Sequence, residues 1–197
     1  AGPEYVQTNL SNGTNYIVFA LTSALSFAVG VTIVYNGVRM ILSELIPAFQ
    51  GVSQKLIPNA IPAVDCAVFF TYAPNAVLIG FISSFIGGVI GMLILGAAGA
   101  VLIIPGLVPH FFCGATAGIY GNATGGKRGA IIGSFINGIL LAFLPAALLP
   151  VLGSIGFQNT TFGDFDFAVL GILIGKAVEN IGEIGVYGII AILLVIL

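Results

Sequence analysis

Long runs without a charged residue are the feature that most constrains this chain. Residues 16–35 form one such run of twenty residues, residues 76–104 form a second of twenty-nine, and residues 130–152 form a third. About twenty apolar residues in a helix suffice to cross the ~30 Å hydrocarbon core of a bilayer. Only 6% of the residues are charged, whereas a soluble domain carries about 25%. The sequence therefore predicts an all-α integral membrane protein, with the lipid bilayer as its solvent.

The segments between these runs give a domain organisation. After a polar lead at residues 1–15, the region 16–62 combines a first span with an amphipathic helix at the membrane surface, which Pro47 interrupts. Residues 63–166 form a core transport region. Within it, 105–129 is rich in proline and glycine, and 63–75 has prolines near its ends, at positions 58, 62 and 74. Both segments are expected to form re-entrant hairpins, alongside the spans 76–104 and 130–152. Residues 167–197 are expected to be C-terminal helices, kinked or broken, of a chain that continues elsewhere.

Charge and residue counts argue against several classes of function. The net charge is −2, and the five Lys and Arg residues include one adjacent pair, Lys127 and Arg128, so we expect no nucleic-acid partner. One histidine and two distant cysteines make neither a metal site nor a catalytic triad, so no metal, cofactor or catalytic residue is expected. The pair Lys127 and Arg128 favours a cytoplasmic position for its turn. Ser83 and Ser84, among four glycines, fit small-residue helix packing better than catalysis.

Asp65 is the leading candidate for a functional residue. It lies in an apolar stretch, residues 61–80, and the nearest basic residue before it in the sequence is Lys55. A carboxylate at membrane depth costs several kcal/mol unless it is paired, hydrated or protonated, and such groups usually face a cavity or a substrate path. The alternative is an exposed loop in which Asp65 is solvated. Composition alone leaves both interpretations open.

A second candidate group follows Pro109. His110, Phe111 and Phe112 stand in the segment PGLVPHFFCGATAG, residues 105–118. Aromatic rings at a hairpin can pack on the flat face of a ring-shaped solute, and a histidine can supply a hydrogen bond or a proton. The competing interpretation is that both phenylalanines are core packing and that a backbone carbonyl caps His110. The residues by themselves do not decide between the two.

Three segments carry a resemblance to a known family. They are SELIPAFQGVSQKLIPNAIPAVDC (43–66), YAPNAVLIGFISSF (72–85) and IPGLVPHFFCGATAGIYGNATGGKRGAIIGSF (104–135). Together they resemble the ascorbate-type permease, the IIC component, of the bacterial phosphoenolpyruvate-dependent sugar phosphotransferase system. The resemblance covers most of the chain and corresponds to roughly the C-terminal half of such a permease.

The resemblance implies a multi-pass protein of the bacterial plasma membrane that takes up L-ascorbate. Its partners would be the IIA and IIB subunits, with the phosphoryl group carried by a cysteine of IIB, and a second copy in a homodimer with an elevator motion. Asp65, Phe111 and Phe112 correspond to substrate contacts in this resemblance, with His110 beside them. Cys113 follows the aromatic pair where a threonine is expected in many relatives, which removes a hydroxyl group.

Two other classes of function stay open at this stage. An ion-coupled secondary transporter or a channel subunit for a small polar solute also needs an acidic residue in a cavity and broken, glycine-rich helices. A structural or assembly subunit needs no solute site at all, and would leave Asp65 exposed and without a ligand.

Overall fold

The computed structural model describes residues 3–58, 66–154 and 156–196, and all of the regular elements in these ranges are helices. The predicted all-α membrane fold is confirmed, because three of the described helices, Tyr16–Lys55, Pro74–Ala97 and Leu107–Ser154, are each long and apolar enough to cross a bilayer. The helices are α1 (Pro3–Asn9), α2 (Tyr16–Lys55), α3 (Cys66–Phe70), α4 (Pro74–Ala97), α5 (Leu107–Ser154), α6 (Phe165–Ile181) and α7 (Glu183–Ile196).

The chain divides into two compact units, Ala1–Val68 and Phe69–Leu197. The first unit is dominated by α2, which begins after Asn15. The Asn15 side-chain oxygen accepts a hydrogen bond of 2.9 Å from the Ile17 N–H and so caps the helix. The helix continues through Pro47, so the expected first span and the expected surface helix are one element. None of its residues is buried, as suits a helix whose apolar side chains are solvated by lipid.

In the second unit, α5 is a helical hairpin. Gly126 breaks the helix with φ 60° and ψ −152°, a conformation open to glycine because it has no Cβ. The first arm (107–125) and the second arm (127–154) then lie antiparallel. The Ser134 hydroxyl donates to the Gly114 carbonyl at 3.0 Å. The first arm is regular despite Pro109, because this proline lies in the first turn, where its missing N–H has no intrahelical partner to lose.

Helix α4 packs against both arms through small residues. Along the first arm it is antiparallel, because Gly80 lies against Gly118 and Gly88 lies against His110. Along the second arm it is parallel, because the Ser83 hydroxyl donates to the Ile131 carbonyl at 2.7 Å and Gly91 lies farther along, against Ala142. Small residues allow this close approach of helix backbones in a membrane. The three helices therefore form one packed body, which we call the core bundle.

The chain returns across one end of the core bundle. Residues 156–164, which we call the strap, follow the second arm. The Thr161 hydroxyl donates to the Pro145 carbonyl at 3.2 Å, and Gly163 lies against the Pro109 ring. Helix α6 then packs on the second arm through Ala168 and Leu148, both fully buried. Gly182, with φ 70°, separates α6 from α7.

Candidate functional site

A cavity of about 210 Å³ lies at the end of the core bundle that the strap crosses. Two of its side chains, those of His110 and Thr161, are polar, and the rest of its lining is apolar side chain and backbone. The lining residues are Ile103, Ile104, Pro105, Gly106, Pro109, His110, Leu141, Pro145, Thr161, Phe162 and Gly163. Because Pro145 has no N–H, the carbonyl of Leu141 one turn earlier does not receive the usual helix hydrogen bond from it. This backbone oxygen counts among the polar groups of the lining residues. The cavity therefore combines a mostly apolar surface with a few polar groups, as small-molecule sites do.

His110 is the polar group at the base of this cavity. The residue is 2% exposed, and its Nδ1 lies 2.9 Å from the Ser84 hydroxyl oxygen. The Phe85 ring meets the imidazole edge to face at a centroid distance of 5.7 Å. Every fully buried polar side-chain atom of the described residues has a hydrogen-bond partner, yet the described hydrogen bonds of this side chain include none to Nε2. Nε2 is therefore not fully enclosed. It lies against Gly88, where an added β-carbon would overlap it, and His110 lines the cavity.

Phe111 and Phe112 belong to a different environment, an aromatic cluster with Phe70 and Phe81. The Phe111 ring meets those of Phe70 and Phe81 in edge-to-face contacts at 5.5 Å and 5.6 Å. The Phe112 ring stacks on Phe70 at 6.1 Å. Phe111 is 8% exposed, whereas Phe112 is only partly buried. Phe112 is therefore the member of the predicted pair that retains a free surface.

Cys113 lies beside the strap. Its thiol is 3.8 Å from the Asp164 Oδ1 in an exposed position, with the thiol as donor. This contact joins the first arm to the end of the strap. Among the described residues, no group of three or more His, Cys, Asp or Glu side chains is placed to hold a metal ion.

The four consecutive candidates 110–113 are thus distributed around one helix. Successive helical residues point about 100° apart, so His110 meets α4 and the cavity, the two phenylalanines meet the aromatic cluster, and Cys113 meets the strap. Asp65 lies outside the described residues, next in sequence to the start of α3. The partners missed from sequence are Phe70, Phe81, Ser84, Asn137 and Asp164. A polar side chain inside a charge-free run was the available signal for Ser84 and Asn137.

Comparison with known families places this bundle in a functional class. A family model described as the sugar-specific permease component of the PTS system, EIIC-GAT, matches residues 5–166. The chain belongs to this permease family. The match includes α2, α4, both arms and the strap, so the cavity and the aromatic cluster of this permease both lie within the matched residues.

A curated relative gives a more specific similarity. The "Ascorbate-specific PTS system EIIC component" of Mycoplasma pneumoniae is 33% identical over 135 residues, which is 65% of this chain and 20% of the relative. The chain therefore spans a fifth of the length of the relative that it matches. The resemblance seen in the sequence is confirmed at the level of the permease family, and the membrane location that the apolar helices predict agrees with it.

Proposed function

We propose that this permease binds L-ascorbate and carries it across the bacterial plasma membrane as a multi-pass transport protein. The observation that carries the proposal is the cavity of about 210 Å³ beside His110, within a chain of the PTS permease family. The ascorbate-specific relative supports the choice of solute. A small, hydroxylated ring needs an apolar enclosure with a few polar groups to fix its orientation, and the cavity has this composition.

The substrate contacts in this proposal come from three kinds of side chain. His110 offers its Nε2 to a hydroxyl group of the solute in the cavity. Asp65 accepts hydroxyl hydrogen bonds, as the resemblance implies. The resemblance makes Phe111 and Phe112 substrate contacts as well. Their rings lie in the aromatic cluster and not in the cavity lining, so Phe112, with its partly free ring, would offer an aromatic face to the solute outside the cavity, and Phe111 holds that ring in place from the buried side. Cys113 contributes through the strap, because its thiol meets Asp164.

The movement that we propose is an elevator motion of the core bundle within a homodimer. The backbone contacts between α4 and the two arms support it, since close-packed helices move as a body more readily than they slide past one another. The motion would expose the solute to the phosphorylated cysteine of a IIB subunit. A IIA subunit would phosphorylate that cysteine again after each transfer. Cys66 and Cys113 are only partly buried, but both stand in apolar runs of the sequence, which makes them poor candidates for the phosphoryl-carrying cysteine.

The test is equilibrium binding of labelled L-ascorbate to the purified permease as the cell produces it. Saturable binding that unlabelled ascorbate displaces and galactitol does not displace would support the proposed solute. Asp65→Asn should weaken the binding, whereas Asp166→Asn, at an exposed position in the first turn of α6, should leave it unchanged.

The outcomes separate the alternatives. Unaltered binding in Asp65→Asn would remove Asp65 from the site. Uptake driven by an ion gradient in vesicles without IIA and IIB would contradict the proposed function and favour an ion-coupled secondary transporter. A folded permease that binds none of these solutes would favour the assembly subunit.

A further inference from the structure

A short chain of polar side chains crosses the interior of the core bundle. Ser84, on α4, is completely buried. Its hydroxyl oxygen lies 2.9 Å from His110 Nδ1 on the first arm and 3.4 Å from Asn137 Oδ1 on the second arm. Each of the three helices thus supplies one member. Polar groups at this depth stay only where their hydrogen bonds are satisfied, so the arrangement constrains where each proton lies.

The number of donors limits how the protons can be arranged along this chain. A serine hydroxyl has one hydrogen, so Ser84 can donate either to the Asn137 carbonyl oxygen at 3.4 Å or to His110 Nδ1 at 2.9 Å. If the hydroxyl donates to Asn137, Ser84 presents a lone pair toward His110, and the hydrogen in the 2.9 Å contact lies on Nδ1. A neutral imidazole has a single N–H, so in this arrangement Nε2, which lies against Gly88 in a residue that lines the cavity, is left with a lone pair.

We infer that Ser84 and Asn137 are positioning residues that hold His110 as the Nδ1–H tautomer, so that Nε2 accepts a hydrogen bond from a hydroxyl of the solute. The identity of the solute rests on the proposed function. The selectivity follows from the tautomer. A ligand hydroxyl satisfies Nε2 by donating its hydrogen, whereas the corresponding methyl ether has no hydrogen to donate and leaves a lone pair unsatisfied in a mostly apolar cavity.

The first measurement is the tautomer of His110, which does not depend on any solute. Histidine is labelled with ¹⁵N in the permease in lipid bilayers, and the His110 signals are identified by their loss in His110→Asn. We expect a protonated, pyrrole-type Nδ1 and a bare, pyridine-type Nε2. Ser84→Ala should change the ratio of the two tautomers about tenfold toward Nε2–H, since one hydrogen bond is worth about 1.4 kcal/mol.

Ser83→Ala is the matched control. Ser83 precedes Ser84 on α4 and is also buried, but its hydroxyl donates to the Ile131 carbonyl and does not touch His110. The tautomer ratio should be unchanged in this variant. If Ser84→Ala fails to fold, Asn137→Leu tests the same chain from a half-buried position, because it removes the acceptor of the Ser84 hydroxyl while keeping a similar volume.

The second measurement is competition of mono-O-methyl ethers of ascorbate against labelled L-ascorbate. One ether should bind about tenfold more weakly than the others to the unchanged permease, and this difference should disappear in Ser84→Ala. An Nε2–H or doubly protonated ring in the unchanged permease, or an unaltered tautomer in both Ser84→Ala and Asn137→Leu, would overturn the inference. Failure to bind ascorbate with the Nδ1–H tautomer present would overturn only the proposed solute.

Discussion

The α-carbon of Gly138 lies directly against the backbone of Ser84, so that a β-carbon on Gly138 would overlap the Ser84 carbonyl oxygen. The contact joins the second arm to α4 at the level of the polar chain described above. Since neither partner at this point is a flexible side chain, an added methyl group can be accommodated only by moving a helix.

Gly138→Ala should therefore destabilise the core bundle by about 1–3 kcal/mol, as overpacking does in other protein interiors. The measurement is the midpoint of unfolding in a denaturing detergent. Gly133→Ala is the control on the same arm, because the nearest atom to its β-carbon would be 3.9 Å away. Equal midpoints for the two variants would contradict the packing described for α4.

The two phenylalanines should differ in what their loss affects. Phe111→Leu removes a buried ring that contacts Phe70 and Phe81, and should lower the stability by roughly 1–3 kcal/mol. Phe112→Leu should affect stability less but weaken ascorbate binding about fivefold, since a stacked aromatic face is worth about 1 kcal/mol. Unfolding midpoints and binding constants of both variants check this. If Phe111→Leu weakened ascorbate binding and Phe112→Leu did not, Phe112 would be excluded as the solute-facing ring.

The strap can be fixed to the first arm by a disulfide. Cys113 lies 3.8 Å from the Asp164 side chain, so Asp164→Cys, with Cys66 replaced by alanine, should form a bond under mild oxidation. Because the strap borders the cavity, oxidation should stop ascorbate uptake, and a reductant should restore it. Asp166→Cys in the same background is the control and should not crosslink. Full uptake by the crosslinked permease would show that the strap need not move.

The turn of the hairpin should face the cytoplasm. Lys127 and Arg128 are exposed at this turn, and basic residues accumulate on the cytoplasmic side. In a background without the native cysteines, Lys127→Cys should react with an impermeant thiol reagent only from the cytoplasmic side. Gln158→Cys, beyond the other end of the second arm, should react only from outside. The reverse labelling pattern would invert the orientation.

Hydrophobicity made the helical spans predictable from the sequence. The runs at 16–35 and 130–152 lie within α2 and α5, and the run at 76–104 begins within α4, which ends at Ala97. They are helical because each helix must satisfy its own backbone in lipid. The positions at which the helices begin and end were harder to predict from the sequence. Pro47 lies within a continuous helix, and Pro109 lies in the first turn of one, because a proline's effect depends on its position in the helix.

The candidate site was predictable only as a set of residues. His110, Phe111, Phe112 and Cys113 are adjacent in sequence, but their environments depend on which helix packs on each side of the first arm. The pairing of Ser84 with His110 joins residues 26 positions apart, and Asn137 is farther still. Such contacts follow from the register of α4 between the arms, which local hydrophobic patterns do not determine. The substrate role of Asp65 stays a prediction.

The length of α2 gives it a property that α4 and the two separate arms of α5 lack. Its 40 residues correspond to about 60 Å, and even at a tilt of 40° the hydrocarbon core takes up only about 40 Å of a straight helix. About 20 Å must therefore project beyond the lipid tails. With the uncharged run at 16–35 in the membrane, the projecting part includes Lys55. The height of Lys55 above the membrane is then set by hydrophobic mismatch, and it increases as the bilayer becomes thinner.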